Sequence, residues 1–503
     1  MNIRLSNNLL ITIGAFLLFS ATAAYFNLPV PNQENLTFGW EYGNIAEALA
    51  NGRGYSDAFG TGGGPTAWMP PFFVLLQAGI FYLFGVRTVA SMWVILLIKY
   101  LALAASLYFL LASTSRPPFR TYKSLLVLLF IIYIYVNRSA YFRGLHDDWL
   151  ILFLSCSMLY FFTARIRGES NTVFLGMIAF LLPLTSPALS AAFLITEAGM
   201  GLLGISGSIS DKSRRRAVLG VVVLFAASTL LWTYRNYRVF GTLVPIKSNM
   251  AYDLYQANFL DADGLVTFST FENYHPNHPT EFQAEYLEMG EHLFVQKYRS
   301  LSLSEIRRDP LRFLENIGRR AFSTFLFIHP DEDIQPANSR FLTPEEIEKL
   351  ADKKLVSKYT PPYILWTSLN LSRSEFESEI HSLRLTNEDS VIEDWSSRRE
   401  EYKRQATSPK KVLKSLLLSF IPSLCILLTL FHEKAGRNSI FLIALIIYLT
   451  YLAPYIIVSH YHRYQVPMSG LQSVFVFLVI CALLEKFPFW KTSLSKFSLR
   501  RKA

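Results

Sequence analysis

PTAWMPPFFVLLQAGIFYLFG, Pro65–Gly85, is the stretch on which the arrangement of the whole chain turns. Counted as a full membrane span, its apolar part (Pro70–Gly85) would put the next basic linker, SRPPFRTYK (Ser115–Lys123), on the outer side and invert every later assignment. Lys and Arg gather on cytoplasmic loops, so that inversion conflicts with the charge pattern. The segment is therefore expected to lie at, or dip into, the outer interface, and Trp68, Pro70 and Pro71 suit an interfacial start.

With that choice made, the rest of the chain falls into order. Hydrophobic residues are 51% of 503 and charged residues only 17%, a balance of polytopic membrane proteins. Apolar runs near 9–26, 89–112, 124–136, 149–164, 172–185, 187–205, 217–234, 412–431, 439–457 and 466–484 are expected as ten helical spans. The first run ends in ATAA, like a signal-peptide site, but the tally closes only if it stays as an anchor. The linkers ARIRGES, SDKSRRRA and HEKAGRN and the basic tail read as cytoplasmic, which places both termini inside. The same bias accounts for the net charge of +10 without nucleic acid. Cys156, Cys425 and Cys481 sit in apolar runs as small buried hydrophobes, with no disulfide framework.

Three regions result: a transmembrane module at 1–236 with a first outer loop at 27–88, an extracytoplasmic and mainly helical region at 237–411, and closing helices with a basic tail at 412–503. Within the middle region, amphipathic helices are expected at 280–297 and 303–327. A charge-rich insertion at 331–404 includes TPEEIEKLADKK, which reads as a capped helix.

On this topology the unusual polar residues share one face. Glu41, Glu47 and Asp57 lie in the first outer loop, and HDDW (His146–Trp149) stands at the mouth of a span. YRNYRVFG (Tyr234–Gly241) follows another span, and SHYHRYQVP (Ser459–Pro467) joins the last two. Acids here are candidates for deprotonating an acceptor or holding a cation, and arginines for meeting an anionic group at headgroup depth. Each has a plainer alternative. Arg235 and Arg463 would simply anchor at the interface, and His460 and His462 would be hydrogen-bonders, lacking further ligands at metal spacing. Asp148 would cap the helix that follows, leaving Asp147 freer. Glu47 falls opposite Glu41 on a helix, on the solvated side. GTGGGP (Gly60–Pro65) lacks the ending of a phosphate loop and reads as a flexible connection.

The segments EYGNIAEALANGRGY, PTAWMPPFFVLLQAGIFYLFG, WTYRNYRVFGTLVPIKSN, RRDPLRFLENIGRRAF and YHRYQVP, in that order, resemble the GT-C superfamily of membrane glycosyltransferases. The resemblance is to the branch of protein O-mannosyltransferases and the lipid A aminoarabinose transferase (glycosyltransferase family 39-like). It implies a GT-C-like bundle with an enzyme site on the extracytoplasmic side of a bacterial inner or plasma membrane. There, a polyprenyl-phosphate or -diphosphate sugar would be transferred, with inversion, to a glycan, lipid or protein acceptor. That family carries its catalytic carboxylate in the first outer loop, usually as Asp; here Glu41–Tyr42 stands there.

The roles that follow are Glu41 as base, with Asp147 and Asp148 completing an acidic mouth, and Arg235, Lys247 and Arg463 toward the lipid phosphate. Tyr42, Trp68, Asn236, His460, His462 and Tyr464 would line the substrate. Whether Mg²⁺ or Mn²⁺ takes part is left open. The competing class is a transporter or flippase of a lipid-linked sugar, to which the Pro-broken PLTSPALS (Pro183–Ser190) is suited. A carrier would place charge at mid-membrane, where the spans hold only Lys99 and Glu197.

Overall fold

Long uninterrupted apolar runs must satisfy their backbone internally once water is excluded, so they fold as helices. A computed structural model of the chain describes residues 6–27, 38–169, 172–202, 212–260, 264–266, 270–271, 274–278, 280–326, 409–431 and 438–486. Among them, eight helices are long and apolar enough to cross a membrane: Asn7–Asn27, Val89–Ser113, Phe119–Val136, Asp148–Ile166, Val218–Phe240, Val412–Phe431, Ser439–Ile457 and Arg463–Lys486. The protein is an all-α, multi-pass integral membrane protein.

The helices in chain order are α1 (Asn7–Asn27), α2 (Glu41–Ala50), α3 (Pro71–Phe84), α4 (Val89–Ser113), α5 (Lys123–Val136), α6 (Asp148–Ile166), α7 (Thr172–Thr185), α8 (Pro187–Leu202) and α9 (Lys212–Phe240). There follow α10 (Met250–Tyr255), α11 (Glu281–Met289), α12 (Glu291–Arg308), α13 (Pro310–Phe325), α14 (Pro409–Ser415), α15 (Ile421–Phe431), α16 (Ser439–Ile457) and α17 (Ser469–Lys486). Of the ten expected spans, two differ from the others. α7 and α8 have 14 and 16 residues, short of the ~20 of a straight span. Ser186 separates them, because the residue before Pro187 is pushed out of the helical region.

α3 has 14 residues, starts with Pro71 at its first position and ends where Gly85 takes φ 92°. It lies against α2 and α4 with Leu75, Tyr82, Leu83 and Phe84 exposed. It is not among the eight long helices.

α6 is the hub of the bundle. In its most apolar window 83% of residues are buried, against 11% for the corresponding window of α9, so α6 is central and α9 peripheral. α6 packs along α4 and approaches α17, where the absent side chain of Gly470 admits the Cys156 sulfur; a Cβ there would lie 2.5 Å from it. α1 joins through Ala15, Phe19, Ala23 and Asn27, spaced one turn apart, and Asn27 donates to the Phe142 carbonyl at 2.7 Å. The two charged residues expected at mid-membrane, Lys99 and Glu197, are both engaged. Lys99 donates to the carbonyls of Ala140 (2.9 Å) and Gly144 (2.7 Å), and Glu197 pairs with Arg165 at 2.6 Å.

The amphipathic helices expected at 280–297 and 303–327 are each divided. Gly290, at φ 74°, turns the chain between α11 and α12. Pro310 has no N–H to continue α12, and the Asp309 side chain instead caps α13 by accepting from Arg312 N at 3.0 Å. α13 leaves Leu311, Leu314 and Phe322 exposed. The fully buried Arg320 turns inward and donates to the carbonyls of Ile456 and Ile457, the last of α16. The helix expected in TPEEIEKLADKK and the rest of the 331–404 insertion lie outside the described residues.

Candidate functional site

Three consecutive residues with positive φ, Phe38 (49°), Gly39 (82°) and Trp40 (61°), reverse the chain just before α2. The reversal brings the backbone against the loop that leads into α6. A Cβ on Gly39 would lie 2.8 Å from the Leu145 carbonyl oxygen, a distance that admits only glycine. Gln77 of α3 donates to the Phe38 carbonyl at 3.0 Å and holds the turn from the other side. Glu41 and Tyr42 thereby reach HDDW, more than a hundred residues away in sequence. The Tyr42 hydroxyl donates to Asp147 Oδ2 at 2.8 Å, and its ring packs on Phe73.

Glu41 is 8% exposed, at the first position of α2. Burial pushes its carboxyl up to about 7; its own backbone amide and the positive charge of Arg463 offset part of that rise. Asp147 is raised in the same direction by burial, while Arg463, the Tyr42 hydrogen bond and Lys247 pull it back.

The capping role expected for Asp148 is not found. Asp148 is the first residue of α6, and Asp147, at the N-cap position, makes no side-chain capping bond. Asp147 is also not the freer acid, since Tyr42 holds it. Asp148 Oδ1 lies 3.5 Å from Arg463 Nε, and its buried Oδ2 has no hydrogen-bond partner among the described residues. Nor does Arg463 Nε have one, and the side chain of Arg463 is 30% exposed. Lys247, partly buried, adds the second positive charge, felt by Glu41, Asp147 and Asp253.

Sequence reasoning missed three acidic or imidazole side chains. Asp253 of α10 is partly buried and pushed up to about 6 by burial, with Lys247 opposing. His275 is buried with Nε2 3.6 Å from Glu41 Oε1, and burial together with His278 brings its imidazole down to about 3. Glu291, at the start of α12, is 3% exposed and accepts from Ala67 N (2.7 Å), Ser248 (2.7 Å), Tyr286 (2.8 Å) and Thr66. It ties the first loop to the segment after α9. The only hint of Asp253 was its closeness to PIKSN. Nothing in ENYHPNHP marks His275, and Glu291 read as one acid on an amphipathic helix.

Several residues expected to contact substrate make contacts within the chain. Arg235 donates to the carbonyls of Thr66 (2.7 Å) and Tyr55 (2.9 Å) and to Asn236, with its guanidinium over the rings of Tyr55 and Trp232. Asn236 donates to Val244 and Ile246 carbonyls and folds the turn after α9. Trp68 is wholly buried among Phe59, Tyr252, Tyr286 and Phe294. His460 is buried beside Thr324, and its carbonyl accepts from Val266 N at 3.0 Å. Tyr464 stacks on Tyr455 with ring centroids 4.2 Å apart, next to Arg463. The side chain of His462 lies outside the described residues.

In the first loop, Glu47 pairs with Arg87 at 2.6 Å, and Asp57 pairs with Arg53 at 2.9 Å. The glycine connection is held more firmly than its composition suggests. Asp57 N donates to Gly64 O at 2.9 Å and Asp57 Oδ1 accepts from Gly62 N at 3.2 Å, closing the loop on itself.

One end of the bundle thus gathers Glu41, Asp147, Asp148 and Asp253 with Arg463 and Lys247. Glu41 and Asp253, pushed up to about 7 and about 6 by burial, can accept or release protons there, and two cations can meet an anion. Among the described residues no three His, Cys, Asp or Glu side chains form a set that could hold a metal ion, so no step is derived through Mg²⁺ or Mn²⁺. Comparison with known protein families, with curated proteins and with solved structures returns no match.

Proposed function

We propose that this chain is a membrane glycosyltransferase of the GT-C kind, moving a sugar from a polyprenyl-phosphate or -diphosphate donor to an acceptor on the extracytoplasmic side. One observation carries the reading: a buried carboxyl that titrates at about 7, Glu41, sits in the field of Arg463 and Lys247 at one end of the helix bundle. A base with a pKa near the working pH is suited to taking a proton as an acceptor attacks. Cations beside it are suited to a phosphate that gains charge as it leaves.

In this mechanism Glu41, ionised, takes the proton of the acceptor hydroxyl or amine. The acceptor's lone pair forms the new bond at the anomeric carbon from the face opposite the phosphate, so configuration inverts. The bond from that carbon to the phosphate oxygen breaks, and its electron pair stays on the phosphate. Arg463 and Lys247 neutralise the departing charge, and the proton later leaves from Glu41. Arg235 has no place in this step, because its donors already hold the Tyr55 and Thr66 carbonyls. Its part is to keep the first loop seated. Asp147, oriented by Tyr42, and Asp148, beside Arg463, keep the guanidinium facing the site.

The test is transfer from labelled polyprenyl-phosphate sugars by the purified protein with membrane extract. Glu41→Gln is expected to lower transfer by roughly 10² to 10⁴-fold, the usual scale for general-base loss, and Arg463→Met by about 10²-fold. Undiminished transfer in Glu41→Gln would remove the base, and lipid movement without transfer would replace the enzyme with a carrier.

A further inference from the structure

Glu41 has a neighbour that the reaction above does not use. His275 is 4% exposed, and its ring is walled by Phe59, Trp68 and Phe271 at centroid distances of 5.5, 6.2 and 5.1 Å. Its Nδ1 accepts the backbone N–H of Asn277 at 3.3 Å. A neutral imidazole carries one N–H, so with Nδ1 accepting, the proton resides on Nε2. That nitrogen is the one 3.6 Å from Glu41 Oε1.

We propose that His275 is a positioning residue for Glu41: its tautomer-locked Nε2–H orients Oε1 of the carboxylate and leaves Oε2 to take the acceptor's proton. The inference rests on the reading of Glu41 as the base. At 3.6 Å the contact is longer than a formed hydrogen bond, as resting catalytic contacts commonly are, and it closes when Glu41 ionises.

The other charged groups around Glu41 come from separate elements. Arg463 precedes α17, Lys247 precedes α10 and Asp253 lies within it. Asp147 stands one residue away through Tyr42, and His278 lies against Trp40 at 5.2 Å. Arg463 and Lys247 favour the ionised carboxyl, and Asp253 disfavours it. His275 differs from all of them in kind: it stays neutral across the working range and acts as a fixed dipole with direction.

Two substitutions separate donor from bulk. His275→Phe keeps an aromatic ring among Phe59, Trp68 and Phe271 but has no N–H. His275→Gln places an amide N–H near the position of Nε2. Ionisation of Glu41 is read directly by infrared titration of its carboxyl band, taken as the difference from Glu41→Gln, and needs no turnover. The expected midpoint rises by about one pH unit in His275→Phe, the scale of one hydrogen bond to a charged group, and returns toward wild type in His275→Gln. In transfer assays the acid limb of the rate profile should move by the same amount, with kcat down about tenfold and KM little changed. An unmoved infrared midpoint in His275→Phe, or a Gln variant displaced as far as Phe, overturns the positioning role. If the midpoint moves as expected but no sugar is transferred by wild type, the pairing stands and the transferase reading fails.

Discussion

Glu41→Gln keeps the shape of the side chain and removes one ionisation, so it isolates the cost of holding that charge in the fold. The carboxyl titrates at about 7 in the folded chain, against an ordinary value of 4.5. Between those values the folded state retains a proton that the unfolded chain has released. Stability is therefore fullest below pH 4.5 and declines as pH rises through 7. A gap of about 2.5 pH units, at about 1.4 kcal/mol per unit, amounts to roughly 3 kcal/mol. Gln carries no such penalty. His275 acts in the opposite sense, since an imidazole held down to about 3 costs stability as pH falls below 6.5, but it is present in both proteins and cancels in their difference. The assay is thermal unfolding of wild type and Glu41→Gln in detergent from pH 5 to pH 8. The difference should be small at pH 5 and grow to favour Gln by roughly 3 kcal/mol at pH 8, a rise in Tm on the order of a few degrees. A difference that is flat with pH, or a Gln variant less stable at pH 8, would refute a buried carboxyl titrating near neutrality.

Two further perturbations probe the scaffold around the site. Glu291→Ala removes the shared acceptor of Thr66, Ala67, Ser248 and Tyr286. The expected loss is about 3–5 kcal/mol, with faster amide exchange across residues 55–68 and a milder effect for Glu291→Gln. Gly39→Ala must hold φ 82° and place its Cβ 2.8 Å from the Leu145 oxygen, whereas Gly52→Ala, at φ 77°, meets nothing within 4 Å. Both suffer the backbone cost of about 1 kcal/mol, but Gly39→Ala should lose about 1–3 kcal/mol more in thermal unfolding; equal losses would show that Gly39 does not set the approach of α2 to HDDW.

Helix class and helix edges were legible because both depend on neighbours in sequence. The segment expected at 89–112 is the helix Val89–Ser113, and the one at 439–457 is Ser439–Ile457. A backbone shut away from water has one local remedy, and apolar runs declare it. The expected amphipathic helix at 303–327 failed at one proline, a local signal outweighed by the longer periodicity. Glu41 was singled out from its place in the first loop, whereas the pairing of Glu47 with Arg87 was not anticipated.

What the chain's order could not express was which polar groups would use up one another. Arg235 and Arg463 look alike in sequence, each among tyrosines at a span's edge, yet one is committed to two backbone carbonyls while the other leaves its Nε unbonded beside Asp148. The order of residues alone was enough for a helical membrane bundle, since burial of apolar runs is decided residue by residue along the chain. It took the folded chain to set His275 and Asp253 beside Glu41 and to give Trp68 and Glu291 to the scaffold, because hydrogen bonding and desolvation depend on neighbours hundreds of residues apart.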